Sequence, residues 1–258
     1  TGMIRPTCGF VTVNGLDIAT DSLRARTEIG YLPQSFGLYG NFTAREYLAY
    51  YSLILGIENR AERRRNTAAV LDQVNLLEAA DRPVRTFSGG MRQRLGIARL
   101  LLTVPRVILV DEPTAGLDPH GMKEVRELIK RLSRERGITI FLSSHLLAEV
   151  ELVATRMAVI HRGELIAQGA VSELLGREAT DYSIEVSPLS AAVKLLEDLS
   201  WVKSLSAENG KIEVRIEPGR SSELNRFLVM NHIEVFSFCP RKTLEDYFLR
   251  VTEGTSEI

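Results

Sequence analysis

Asp111 and Glu112 stand at the end of the apolar run Val107-Ile108-Leu109-Val110 and open the string Asp111-Glu112-Pro113-Thr114-Ala115-Gly116-Leu117-Asp118. Two adjacent acids are poor choices for packing, because an unpaired buried carboxylate is costly. At the carboxyl end of a buried strand they sit where ligands bind in open α/β sheets. Upstream, Phe87-Ser88-Gly89-Gly90-Met91 precedes a helical pattern of Met91, Leu95, Ala98 and Leu102. Ser88 is a good N-cap. Gly89 and Gly90 let backbone N–H groups approach an anion at the positive end of that helix, which suits phosphate. Asp118 precedes Pro119, the pattern of a capped helix with proline at its first position. His145 follows Ser143-Ser144 at another strand end, and Gln34 closes Tyr31-Leu32-Pro33-Gln34. His120, His161 and His232 show no metal-ligand spacing with one another.

The elements that must position these residues read as an α/β core. Val107–Val110 is a short continuous apolar run, as expected for a parallel strand buried on both faces. Thr139–Leu142 and Met157–Ile160 read the same way. Between the first two lies a helix with Met122, Val125, Leu128, Ile129 and Leu132 on one face, closed by Gly137. Strand, crossover helix and strand make a parallel βαβ unit.

Residues 41–104 read as helix without intervening strand. Thr43 and Glu46 form a capping-box pattern ahead of Tyr47, Leu48, Tyr51 and Leu55. A second helix is predicted over Arg60–Leu77, its first-turn arginines on a solvated face. After Gly169, Tyr182, Ile184 and Val186 alternate with polar residues, as do Lys211–Glu217. Helices near 191–199 and 222–232 and strands near 202–206 and 234–239 complete a β-α-β-β-α-β order, the split-βαβ arrangement. Trp201 falls in its core, and a last helix is predicted to carry Leu244, Tyr247, Phe248 and Val251.

Composition sets limits. The 258 residues are 45% hydrophobic and 25% charged, ordinary for a soluble globular protein. A formal net charge of −1 offers no electrostatic case for nucleic acid. Cys8 and Cys239, the two cysteines, have no C-x-x-C spacing, so a thiol-metal site or disulfide framework is not expected and a reducing cytosol is the default. The most apolar stretch, 95–110, is interrupted by Arg99 and Arg106 and does not make a spanning helix of about 20 apolar residues.

The order of Gln34, Ser88-Gly89-Gly90, Asp111-Glu112, Asp118 and His145 resembles the nucleotide-binding subunit of an ATP-binding-cassette (ABC) transporter, densely over residues 1–170 and beyond them through the Thr243–Leu249 tail. Met91-Arg92-Gln93-Arg94 and the single cassette resemble exporter ATPases. The resemblance implies a P-loop NTPase (RecA-like) core with an inserted helical subdomain at 41–104, together spanning 1–175, and a ferredoxin-like α+β accessory domain at 180–258. It implies Mg²⁺ held by Asp111 and Gln34, Glu112 as general base, and His145 on the γ-phosphate. It also implies that Ser88, Gly89, Gly90 and Asp118 contact ATP across a dimer of ATPase subunits, with separate transmembrane permease subunits docking near 34–51. The expected place is the cytoplasmic face of the membrane.

One member of the series is missing. No G-x-x-x-x-G-K-[ST] phosphate loop occurs in the 258 residues, although that loop cradles the phosphates through its backbone and a lysine. Thr1–Gly9 resembles the end of the helix that follows the loop, so the loop is expected one helix upstream of a truncated start. The chain as given is expected to lack turnover by itself. Two other classes stay open: a non-catalytic subunit that completes a full-length partner's site, and a soluble ABC protein of translation or DNA maintenance.

Overall fold

The computed structural model describes residues 2, 4, 6–174, 181–208 and 210–240. They group into two compact units divided between His145 and Leu146. The helix predicted over residues 243–251 lies outside the described residues.

The first unit opens with β1 (Thr12–Val13) and β2 (Leu16–Asp17), an antiparallel pair. Asn14 and Gly15 between them both have positive φ, 49° and 78°, as a two-residue hairpin turn requires. α1 (Ser22–Thr27) leads into β3 (Ile29–Leu32). Three helices follow: α2 (Ala44–Ile54), α3 (Arg60–Gln73) and α4 (Gly89–Leu101). β4 (Val107–Asp111), α5 (Pro119–Arg136) and β5 (Thr139–Ser143) complete the unit. β3, β4 and β5 form a parallel sheet in that order, with Leu32 level with Val110 and Asp111 level with Ser143. The strands therefore end together, which brings the Gln34, Asp111-Glu112 and Ser144-His145 segments to one edge.

Local chemistry accounts for the helix limits. Thr43 accepts the Glu46 N–H while the Glu46 carboxylate accepts the Thr43 N–H at 2.8 Å, a complete capping box at the start of α2. α3 starts at the Asn59 cap and stops at Gln73, four residues short of the predicted Leu77. The reason is Asn75, whose φ is 55°. Asn75 N–H donates to Asp72 and Leu76 N–H to Leu71 at 2.8 Å, the paired bonds of a Schellman motif with asparagine in the glycine position. Leu71 and Leu76, at the positions where this motif favours an apolar pair, are both buried.

Two strands differ from expectation among the described residues. β5 is paired on one side only, with β4, and Phe141 is 65% exposed on it. The run 157–160 is not paired in the parallel sheet. It lies in β6 (Arg156–His161), which in the second unit pairs antiparallel with β7 (Glu164–Ala170) after α6 (Leu147–Val153). An apolar run of this length does not reveal which partner covers it. The expectation for Thr1–Gly9 lies partly outside the described residues; residues 4 and 7–9 form bends.

The second unit continues through α7 (Val171–Leu174), β8 (Asp181–Ser187), α8 (Leu189–Glu197), β9 (Val202–Glu208), β10 (Lys211–Ile216), α9 (Ser221–Met230) and β11 (Glu234–Pro240). The sheet order is β11-β8-β10-β9, all antiparallel, the split-βαβ topology the alternation predicts. Tyr182, Ile184, Val186, Ile212, Val214 and Ile216 bury one face with Leu196, Trp201, Leu224 and Leu228. The other face pairs charge across strands: Arg215 lies opposite Asp181, with Nε donating to Oδ1 at 2.6 Å. Among the described residues no helix is long and apolar enough to cross a membrane.

Candidate functional site

Asp111 is the last residue of β4, and the next residue leaves the strand sharply. Glu112 has φ 49°, a left-handed conformation costing a non-glycine residue about 1–2 kcal/mol. Strain of this kind persists where surrounding contacts over-determine it, and it clusters at functional sites. The contacts here come from the end of β5. Glu112 N–H donates to the Ser143 carbonyl at 3.2 Å and to Ser143 Oγ at 3.1 Å. Ser143 Oγ in turn donates to Asp111 Oδ1 at 2.5 Å. The Glu112 carboxylate reaches His145: Oε1 accepts the His145 backbone N–H at 3.0 Å and lies 2.8 Å from Nδ1. Glu112 Oε2 is buried and has no hydrogen-bond partner among the described residues.

One hydroxyl and one carboxylate thus tie four residues together. An ionised carboxylate can only accept, so the Nδ1 facing it carries the proton and Nε2 is the ring atom left for a ligand. Ser143 lies inside the Ser-Ser-His string but was not among the residues selected from sequence. The signal for it is register: with parallel strands ending together, the residue level with Asp111 is Ser143.

A second group forms at two helix starts. Ser88 caps α4, its Oγ accepting the Met91 N–H at 3.2 Å. Gly89 and Gly90 fill the first two helical positions, whose N–H groups have no intrahelical acceptor. Asp118 caps α5 by accepting the Gly121 N–H at 2.8 Å, with Pro119 at the first position. The two helix starts are in contact. A Cβ added at Gly90 would lie 3.0 Å from the Gly121 Cα, and one at Gly89 would lie 3.0 Å from Leu117 Cδ2. At Gly90 the close approach of backbone leaves little room for a side chain, whereas at Gly89 the near atom is the end of a leucine side chain. Asp118 is a cap in fact, and it stands beside the Ser88–Gly90 turn.

Gln34 is exposed in the bend two residues past β3. The hydrogen-bonded cluster of Asp111, Glu112, Ser143 and His145 does not include it. Two residues further, Phe36 packs on α4: a Cβ at Gly96 would meet Phe36 Cζ at 2.6 Å. Arg99 sits 6.0 Å from the Phe36 ring and 5.1 Å from the Tyr51 ring, and donates to Tyr47 Oη at 3.3 Å. Burial, opposed by Arg99, leaves the Tyr47 hydroxyl well above its ordinary pKa, so it stays neutral and accepts that bond. The segment after Gln34 is thereby joined to α4 and α2.

These residues fit a Mg²⁺-bound nucleoside triphosphate. Asp111 keeps an oxygen beyond the one that takes Ser143, and Mg²⁺ prefers one or two carboxylates completed by phosphate and water. Among the described residues no cluster of three or more His, Cys, Asp or Glu is placed to hold a metal ion. The free N–H groups at Gly89 and Gly90 and the Ser88 hydroxyl proton suit phosphate oxygens.

A parallel sheet with acids at a strand end and a crossover helix packed on it belongs to the α/β fold of the P-loop NTPase class. The comparisons agree. The ABC transporter family model matches residues 1–115. The bacitracin transport ATP-binding protein BcrA of Bacillus licheniformis is 36% identical over 255 residues, covering 98% of this chain and 82% of that protein. The linearmycin resistance ATP-binding protein LnrL of Bacillus subtilis is 31% identical over 263 residues, covering 99% and 84%. A dimeric ATP-binding cassette solved in a post-hydrolysis state with ADP and Pi superposes with a TM-score of 0.54 at 27% identity, covering 66% of this chain and 76% of that one. The chain belongs to the ABC transporter ATP-binding subunits, ATPases that couple ATP hydrolysis to transport.

Proposed function

We propose that this chain is the ATP-hydrolysing subunit of an ABC exporter in which Glu112 activates the attacking water and Ser88, Gly89 and Gly90 cover nucleotide held by a second ATPase subunit. The observation that supports this most directly is the division of the Glu112 carboxylate. One oxygen holds His145, and the other is buried without a partner. A buried acceptor left open is costly. A water seated there would satisfy it and stand where general-base assistance is needed.

The remaining residues take roles around that water. Asp111, held by Ser143, and Gln34 would carry Mg²⁺, which when bound neutralises phosphate charge. His145 offers Nε2 to the γ-phosphate, and it donates there only when the ring carries both protons. Asp118 keeps its capping bond and faces the partner subunit beside Ser88. The path from Gln34 through Phe36, Arg99 and Tyr47 relays nucleotide state into the helical subdomain at 41–104. Exposed Tyr39 and Tyr50, in edge contact at 5.7 Å, give a permease segment an aromatic seat in the 34–51 region.

In this reading residues 1–175 form the ATPase domain, 180–258 an accessory domain, and the protein works on the cytoplasmic face of the membrane with its permease subunits. The 258 residues hold no G-x-x-x-x-G-K-[ST] loop, and without that loop's lysine and backbone nest the polypeptide alone is expected not to turn over ATP. The names of the relatives, bacitracin transport and linearmycin resistance, support export as the direction.

The test is phosphate release from ATP by the native protein purified with its permease subunits. Glu112→Gln and His145→Ala should each reduce turnover by at least about 10² while ATP still drives dimer formation. Unchanged turnover in both variants overturns the assignment.

A further inference from the structure

The C-terminus of α3 is held in an unusual way. Its Schellman bonds satisfy the Leu71 and Asp72 carbonyls and leave those of Gln73, Val74 and Asn75 to find donors. All three are taken by guanidinium groups from other helices. Arg94 Nη1, on α4, donates to the Val74 and Asn75 carbonyls at 3.0 Å each. Arg131, on α5, donates to the Gln73 carbonyl. The positive charges also face the negative end of the α3 dipole.

Arg94 has a second attachment. It is only 6% exposed, and its Nη2 lies 3.2 Å from Glu124 Oε2 on α5. A buried cation without such a partner is strongly unfavourable. One side chain therefore binds α3 and α5 while riding on α4, four residues past Gly90. Glu124 lies three residues past Gly121, whose Cα nearly touches Gly90. The ion pair and the glycine contact are consecutive rungs of one helix–helix seam. α5 begins at the Asp118 cap, and α4 begins at Ser88.

We propose that Arg94, Glu124 and Arg131 form a positioning clasp that sets the Ser88-Gly89-Gly90 face against Asp118, so that both present to a partner subunit's nucleotide as one surface. The clasp rests on the reading of Ser88–Gly90 given above. Only arginine fits its centre. The two diverging N–H bonds of Nη1 serve the two carbonyls while Nη2 serves Glu124, and the single ammonium of lysine does not reproduce that planar fork. None of these side chains need touch ATP. Their effect is on how the phosphate donors are aimed, and a misplacement of about 1 Å can cost a factor of 10².

The test is a double-mutant cycle of Arg94→Lys and Glu124→Gln in the native protein purified with its permease subunits. It reads kcat, KM for ATP, ATP-driven dimerisation and melting temperature. Each single variant should weaken ATP-driven dimerisation and lower kcat/KM about tenfold, and the double variant should be no worse than either, because both break one clasp. Arg131→Lys should show a smaller shift in the same direction. Singles that match the parent in dimerisation and kcat/KM, or losses that simply add, overturn the clasp. If Arg94→Lys unfolds, Glu124→Gln decides, because the part-exposed glutamine keeps an amide oxygen that can accept from Arg94 Nη2 while losing the charge. Ser88→Ala run in parallel separates the two ideas. If it weakens dimerisation while the clasp variants do not, the clasp alone fails. If it also has no effect, the reading of the Ser88 face fails with it.

Discussion

Glu112 and His145 are joined twice through a single oxygen: Glu112 Oε1 accepts the His145 backbone N–H at 3.0 Å and lies 2.8 Å from its Nδ1. The carboxylate thereby fixes the chain and the ring of a residue 33 positions away, at the end of the neighbouring strand. Glu112 itself is 16% exposed at its side chain and His145 is 67% exposed. The acid is sheltered, and the imidazole faces outward.

This relationship separates two roles that one variant would otherwise confuse. His145→Ala removes the ring but keeps the backbone N–H bond to Oε1, so Glu112 stays placed. Turnover should fall while a Glu112→Gln protein remains the less active of the two. Phosphate release measured side by side decides, and a His145→Ala loss exceeding that of Glu112→Gln would contradict the proposed order of roles.

Ser143→Ala removes the hydroxyl that accepts the Glu112 N–H and donates to Asp111. The Ser143 carbonyl still receives the Glu112 N–H at 3.2 Å, so the strained backbone is kept, and the loss falls on Asp111. The expected result is a rise of roughly tenfold in the Mg²⁺ concentration needed for half-maximal turnover, about 1.4 kcal/mol for one charge-assisted bond. Ser143→Thr should recover most of it. A Mg²⁺ titration of both variants checks this.

Gly96→Ala tests packing behind Gln34. The new methyl would stand 2.6 Å from Phe36 Cζ and 3.0 Å from Leu32 Cδ1, so the Phe36 ring must leave its place beside Arg99. Overpacking of this kind costs about 1–3 kcal/mol. Denaturant unfolding should show that loss, and a cost under 0.5 kcal/mol would mean that the Phe36 segment yields freely.

Arg45 and Asp81 make a two-point pair at 2.7 and 3.0 Å. The Arg45 bond holds the Asp81 carboxyl below its ordinary value of 3.8. A carboxyl whose pKa is lower folded than unfolded adds stability above its unfolded pKa and loses it as pH falls through the folded one. Asp81→Asn should therefore be less stable than the parent at pH 7, and the gap should close below about pH 3. Both groups are exposed, so the gap is small. Melting curves at the two pH values measure it, and a gap that widens in acid would reverse the sign.

In the second unit, Leu196 is fully buried between α8 and the sheet. Leu196→Ala should cost about 2–5 kcal/mol through lost burial and the cavity left behind. Loss of near-ultraviolet signal from Trp201, 8% exposed in the same core, would report it.

Much of this protein is written locally. The Thr43–Glu46 capping box, the Asp118-Pro119 helix start and the Gly137 stop act over three or four residues, so they form wherever the chain goes. The β-α-β-β-α-β order of the second unit was legible because period-two alternation in 182–186 and 211–217 survives any choice of partner strand. The series from Gln34 through Ser88 and Asp111-Glu112 to His145 identified the family without coordinates. What stayed out of reach depends on neighbours distant in sequence. Nothing local pairs 156–161 antiparallel with 164–170, because an apolar run states that it will be covered and not by what. Ser143 became a site residue only when parallel register set it level with Asp111. Arg94 reads as one more arginine in a basic string, and its role appears when α3 ends at Asn75 and leaves three carbonyls within reach. The sequence alone determined the longer helices, the alternating strands of the second unit and the family. Tertiary structure decided which side chains meet, because hydrogen bonds between strands and helices depend on register and seam geometry that no local period encodes.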